Sequence, residues 1–274
     1  MRIIAWPAFK TKYQNPYGYL LYSSMELQGI SVTEFSLSKL LLKHYDIFHV
    51  HWPVETIVRH PNPFIAGLRG INMLLAIDFA RARGTKLIWT LHDKHPHSIL
   101  HPKLGTWFQS EFIKRVDGCI SHCQVSREWA DLTFPILSNR PHKVILHGHY
   151  RQVYPDNVNR EAARKSLDIP SGSDVLLFLG NIDNYKNVPH LVQVFKELAP
   201  PNWILLVAGK LIVPKLGTQI SQVAANDSRI KLKFGFVRDE KLQEYFRAAN
   251  LVVLPFKDIL NSGSALFSLL IVSY

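Results

Sequence analysis

Apolar positions along this chain alternate between two spacings. Short, nearly unbroken apolar runs recur at Arg2 to Trp6, Ser31 to Phe35, Asp46 to Val50, Lys86 to Leu91, Gly118 to Ser121 and Val144 to Leu146. Their length suits strands buried on both faces. Between them the spacing becomes helical: Leu20, Leu21, Met25 and Leu27 before Gly29, then Phe108 to Val116, then Val125 to Phe134. The longest such pattern is Phe64 to Arg83, where Leu68, Ile71, Leu75, Phe79 and Ala82 form one apolar stripe and Gly84 follows. Strands separated by helices predict an α/β fold with a doubly wound parallel sheet.

From Gly148 to about Asn159 the pattern breaks, with Pro155, Asp156 and several amides, as a linker would. A second βα series follows, with strands expected at Val175–Leu179, Ile204–Ala208, Ile230–Phe234 and Leu251–Leu254. The chain thus divides into 1–155 and 156–274, two Rossmann-like domains with ligand expected in the cleft at the carboxyl ends of both sheets. After the last strand come one loop and a helix beginning at Gly263, ending in the apolar run LFSLLIVSY. The second domain is expected to be incomplete, as in an interrupted chain.

Composition narrows the class. Hydrophobic residues are 47% and charged ones 19%, as in a globular protein. No apolar run reaches the roughly 18 residues that span a bilayer, and the N-terminus reads as a strand, so a cytoplasmic protein is expected. The formal charge of +11 is uneven: residues 1–155 carry 18 Lys+Arg against 10 Asp+Glu. Such a half favours anionic partners, and peripheral contact with an anionic membrane at its inner face is expected. Without a basic run or an RNA-binding signature, nucleic acid is not an expected partner. Cys119 and Cys123 are too few for a disulfide framework.

The candidate chemistry sits in loops after strands. Gly180 ends the Val175–Leu179 run, and Lys186 precedes a helix whose free N–H groups favour an anion. An ordinary βα loop with a surface lysine fits the same letters. His92 and Asp93 follow the Lys86–Leu91 strand and point into the cleft, where a neutral imidazole exchanges protons with a hydroxyl. His51, Trp52 and Glu55 follow the third strand. His95, His97 and His101 cluster near His92, but without a helical His–Glu framework they read as loop histidines, and no metal is expected. No strand is followed by Gly-x-Gly-x-x-Gly, which argues against a dinucleotide-dependent oxidoreductase.

In combination, LFLGNIDNYKNVPHLVQVF, WILLVAGK, IKLKFGFVRDEKLQEYFRAANLVVLPF and ILNSGSALFSL resemble the donor domain of glycosyltransferase family 4. NPYGYLLYSSMELQGISV, IFHVHWPVE and LIWTLHDKHPH resemble the matching acceptor domain. The resemblance implies a GT-B enzyme that moves a sugar from a nucleotide-sugar co-substrate to a saccharide or lipid-linked acceptor with retention, needing no other cofactor. It implies that Gly180 and Lys186 grip the donor diphosphate, although Asp183 stands near the place of a family arginine. It further implies that Phe236 and Val237 cradle the base, and that Asn261, Ser262 and Gly263 form the phosphate turn. His92 and Asp93 fall in the catalytic position, and His51, Trp52 and Glu55 on the acceptor side, Glu55 being a candidate base for inversion. The family's paired glutamates are absent, with Leu266 at the second place. The alternative is a non-catalytic remnant that binds nucleotide or carbohydrate.

Overall fold

The computed structural model describes all residues except Gln14, 95–99, 151–152, 258, 266–267 and 269–274, together with the side chain of Thr56. The chain forms two compact units, Met1–Gly148 and His149–Tyr274. Each is an α/β layer structure around a parallel sheet.

The first unit contains β1 (Arg2–Trp6), β2 (Ser31–Glu34), β3 (Ile47–Val50), β4 (Lys86–Leu91), β5 (Gly118–Ser121) and β6 (His142–Val144), in the order β2-β1-β3-β4-β5-β6. Every neighbouring pair is parallel. The sequence pattern placed the last strand at Val144–Leu146. The ladder instead uses His142 to Val144, because His142 pairs with Cys119, and Ile145 and Leu146 lie exposed beyond it. The helices are α1 (Tyr17–Leu27), α2 (Leu37–Leu42), α3 (Pro53–Val58), α4 (Pro63–Ala82), α5 (Pro102–Arg115) and α6 (Gln124–Thr133). Asn62 caps α4, its side-chain oxygen accepting from Phe64 N at 2.9 Å and Ile65 N at 3.3 Å, while Pro63 fills the first position.

The buried face of α4 is not the stripe that the spacing singled out. Ala66, Gly70, Met73, Leu74, Ala76, Ile77 and Ala80 face the unit, while Leu68, Ile71, Leu75 and Phe79 face out. The buried face is built mostly of small residues, which let the helix approach closely. A Cβ on Gly70 would stand 3.3 Å from Phe108 and 3.4 Å from Ile57 and Trp107.

The second unit contains α7 (Arg160–Ser166), β7 (Asp174–Leu179), α8 (Val188–Leu198), β8 (Trp203–Gly209), α9 (Pro214–Ala224), β9 (Ile230–Phe234), α10 (Asp239–Ala248) and β10 (Leu251–Val252). Its parallel sheet runs β10-β7-β8-β9, and β10 is two residues shorter than the apolar run at 251–254. Separate apolar clusters cover the two faces: Leu177, Leu206 and Phe246 on one, Phe178, Val192 and Ile220 on the other. The expected linker is fastened to this unit. Asp156 accepts from Arg247 at 2.8 and 2.6 Å, and Gln243 Oε1 accepts from the backbone of Asn157 and Val158. The sequence division after residue 155 therefore falls inside this second unit.

Both sheets change winding direction once, between β1 and β3 in the first and between β7 and β10 in the second. Ligands of doubly wound sheets bind outside the carboxyl ends at such points.

Candidate functional site

At the carboxyl edge of the first sheet, successive strands each deliver histidine. His49 lies on β3 and His51 just after it, His92 directly follows β4, His122 directly follows β5, and His147 comes after β6. His49 and His51 are two apart on an extended chain, so they share one face. Tyr17 stands among four of these rings, with centroids 5.6 Å from His51, 5.0 Å from His92, 5.3 Å from His122 and 4.7 Å from His147.

A chain of hydrogen bonds runs through the group. Thr90 Oγ1 meets His49 Nε2 at 2.8 Å, and His49 Nδ1 meets the Tyr22 hydroxyl at 2.8 Å. The same hydroxyl meets His51 Nε2 at 2.6 Å, and His51 Nδ1 meets His92 Nε2 at 3.0 Å. A hydroxyl carries one proton, so Tyr22 donates to one histidine and accepts from the other. That single choice orders the tautomers along the whole chain.

Burial keeps these imidazoles neutral. It pushes His49 down to about 4 from the ordinary 6.5, and His51 and His92 well below it. His122 and His147 are lowered by the same cause, while Tyr22 is raised. His122 Nδ1 donates to the Ile145 carbonyl at 3.0 Å. Its Nε2 is therefore a lone pair, and among the described residues it is buried without a partner.

The residues expected from sequence are partly gathered here. His51, Trp52, His92 and Asp93 belong to this one cluster: Trp52 stacks on His92 at 4.3 Å and donates from its indole to Asp93 at 3.2 Å. Glu55 is engaged instead by Arg59, one turn on, at 3.1 Å. Tyr17, Tyr22, His49, His122 and His147 were missed; the His-x-His spacing of β3 was the available signal. His95 and His97 lie outside the described residues, and His101 bonds the His60 carbonyl at 2.9 Å. Among the described residues no group of three His, Cys, Asp or Glu side chains is placed to hold a metal. Ser121, His142 and Asp131 follow one another at 2.8 and 2.7 Å in the order of a nucleophilic triad. These bonds engage Ser121, His142 and Asp131 with one another, and the network ties β5, β6 and α6 together.

In the second unit the loop after β7 opens at Gly180, with φ 141°, and turns back through residues 184–186 into α8. Asp183, near the place of the family arginine, begins that turn, its carboxylate accepting from Asn184 N at 2.6 Å. Lys186 is only 6% exposed. Its Nζ lies 3.1 Å from where a Cβ on Gly180 would stand, 5.1 Å from the Phe256 ring centre and 5.8 Å from that of Tyr185. Burial pushes it down to about 8, against the opposing pull of Asp183. Among the described residues its ammonium has neither a salt-bridge carboxylate nor a hydrogen-bond acceptor.

The loop after β10 joins this place through Lys257 N, which donates to the Tyr185 carbonyl at 2.9 Å. Ser262 Oγ accepts from Ala265 N at 3.1 Å and caps a helical turn that begins at Gly263. Ser264 Oγ stands 3.8 Å from the Gly180 Cβ position, so Gly180, Lys186 and this turn share one locality. Asn261 is half-buried beside it. After β9, Phe236 is 70% exposed, whereas Val237 packs against the core cluster of Leu177 and Phe246. The Val237 side chain is thus a packing residue.

Comparison with known proteins shows what this chain is similar to. Residues 159–258 match the model of the glycosyl transferases group 1 family. A GDP-mannose:glycolipid 4-beta-D-mannosyltransferase of Xanthomonas campestris pv. campestris is 29% identical over 256 residues, 93% of this chain and 67% of the relative. Among solved structures, sucrose-phosphate synthase from Thermosynechococcus elongatus superimposes with a TM-score of 0.66 at 16% identity, over 97% of this chain and 78% of that one. HepE of Anabaena in complex with UDP-glucose gives 0.53 at 15% identity, over 92% and 72%. With its two parallel sheets this chain has the GT-B fold of these solved structures, and its residues 159–258 match the group 1 glycosyl transferases.

Proposed function

We propose that this protein transfers a sugar, mannose from GDP-mannose being the first donor to try, onto a hydroxyl of a glycolipid or related saccharide. The observation that carries the reading is the buried Lys186 ammonium, which among the described residues has neither a salt-bridge carboxylate nor a hydrogen-bond acceptor. A buried cation without a partner is costly, and a diphosphate supplies the missing charge at the winding reversal where ligands bind. Gly180 lets that diphosphate come close, since any side chain there would sit on the ammonium. The diphosphate leaves carrying the negative charge that Lys186 neutralises.

The first unit supplies the group that receives the acceptor's proton. The bond to the Ile145 carbonyl fixes the His122 tautomer, so its Nε2 lone pair faces the cluster and takes the proton as the acceptor oxygen attacks the anomeric carbon. His92, held by His51 and Trp52, orients the hydroxyl. A base of this kind fits a single displacement with inversion, in place of the retention that the sequence resemblance implied.

Two measurements test the reading. Lys186→Ala should weaken a nucleoside diphosphate by about 1.5–3 kcal/mol and leave the free nucleoside almost unaffected in calorimetry. Equal losses for both ligands would remove Lys186 from the phosphate. Proton NMR of the first product formed should show the anomer opposite to that of the donor, and a retained anomer would discard His122 as base.

A further inference from the structure

The outward face of α4 has no role in either site. Phe64 is 73% exposed, Leu75 61%, Phe79 48%, Ile71 45% and Leu68 44%, all within one narrow stripe along the helix. Trp107 of α5, 40% exposed, lies against the same helix at Gly70. By length and composition α4 could cross a membrane. Its other face packs on the unit through Ala66, Gly70, Leu74 and Ile77, which leaves a single apolar face available.

Around the stripe, the charges left without an ion pair among the described residues are cationic. Arg69 and Lys103 are exposed and make no ion pair among the described residues. Arg83 lies over the Phe79 ring at 5.4 Å. The nearby acids are already neutralised: Asp78 by Arg115 at 2.8 Å, and Glu111 by Lys114 and Arg115 at 2.5 and 3.1 Å. A helix with an exposed apolar stripe and a cationic rim fits the boundary between acyl chains and anionic headgroups.

We infer that the first unit docks on an anionic lipid surface through α4, with Phe64, Leu68, Ile71, Leu75 and Phe79 entering the acyl boundary and Arg69, Arg83 and Lys103 meeting headgroup phosphates. The choice of a membrane as partner rests on the proposed lipid-linked acceptor; the surface itself does not depend on it. Docking would set the protein where such an acceptor is anchored.

Sedimentation with phosphatidylcholine vesicles, with and without phosphatidylglycerol, tests this on the whole chain. The protein should bind the anionic vesicles, and added salt should weaken binding. Leu68→Glu with Leu75→Glu should lower binding at least tenfold, and Arg69→Glu several-fold on anionic vesicles. Both variants should keep the parent melting temperature, since the positions are exposed. Equal binding of parent and double variant overturns the inference, as does no binding at all. Concentration-dependent dimerisation abolished by the double variant, without lipid binding, overturns it in favour of a second copy. These vesicles contain neither glycolipid nor nucleotide. Lys186→Ala should therefore sediment as the parent does, and a failed transferase reading would leave this result standing.

Discussion

Single residues here carry charge states that burial has set. Lys186, lowered to about 8, is half charged in the free protein near that pH. Binding a diphosphate stabilises the ammonium and raises it again, so the complex should take up to about half a proton at pH 8 and almost none at pH 6.5. Calorimetry in buffers of different ionisation enthalpy reads this uptake, and a value independent of pH would detach Lys186 from the ligand. Affinity should fall as the pH rises above 8. Tyr22 offers a second check, because its hydroxyl satisfies nitrogens on both His49 and His51. Tyr22→Phe leaves two buried imidazole nitrogens unpaired, at a cost of about 1–3 kcal/mol each. Turnover should drop while nucleotide affinity holds, since the proposed nucleotide grip lies in the other unit; a matching loss of affinity would show a general collapse instead. Lys186, His51 and His92 were legible in the sequence, as chemistry-bearing residues after apolar runs. Tyr22 and His122 were not, because each matters through a partner far along the chain: His49 for one, the Ile145 carbonyl for the other.

At the scale of elements, the strands of the second unit end alike. Gly180, Gly209 and Gly235 all have φ near 141–143°, one at the carboxyl end of each of β7, β8 and β9. The constraint is tightest at Gly209, where a Cβ would overlap the Gly180 carbonyl oxygen. Gly209→Ala should therefore cost on the order of 3 kcal/mol or more and disturb the loop that carries Lys186. Thermal melting together with diphosphate titration would show it, and an unchanged melting temperature would contradict the close approach. Most strands were legible because apolar runs of that length leave little else to form. The six-residue helices α2 and α3 were not, being too short to display a period. For α4 the period was legible and the inward side was not, because spacing alone cannot tell a bulky stripe facing out from a small-residue face packed in.

Across the whole molecule, the buried histidines make the first unit sensitive to acid. Their folded values lie below the unfolded 6.5, so between the two the unfolded chain binds more protons. Their contribution is complete above about pH 6.5 and is lost as the pH falls toward the folded values, near 4 for His49. Each such group costs up to about 1.4 kcal/mol per pH unit across that window. Denaturant unfolding followed from pH 7.5 to 4.5 should show a steep fall in stability with uptake of several protons, and replacing His49 with Gln should flatten it. A profile flat over that range would mean that the cluster is hydrated.

The two candidate sites also differ in how they could be carried to another scaffold. The proposed phosphate grip is drawn from two loops, residues 180–186 and the described part of 255–264, joined by the backbone bond from Lys257 to Tyr185. It is compact enough to graft onto any parallel sheet with a matching reversal of winding. The histidine cluster takes its members from the ends of β3, β4, β5 and β6 and from the start of α1. No segment of the chain contains it, so an engineer who wants that chemistry must transplant the sheet.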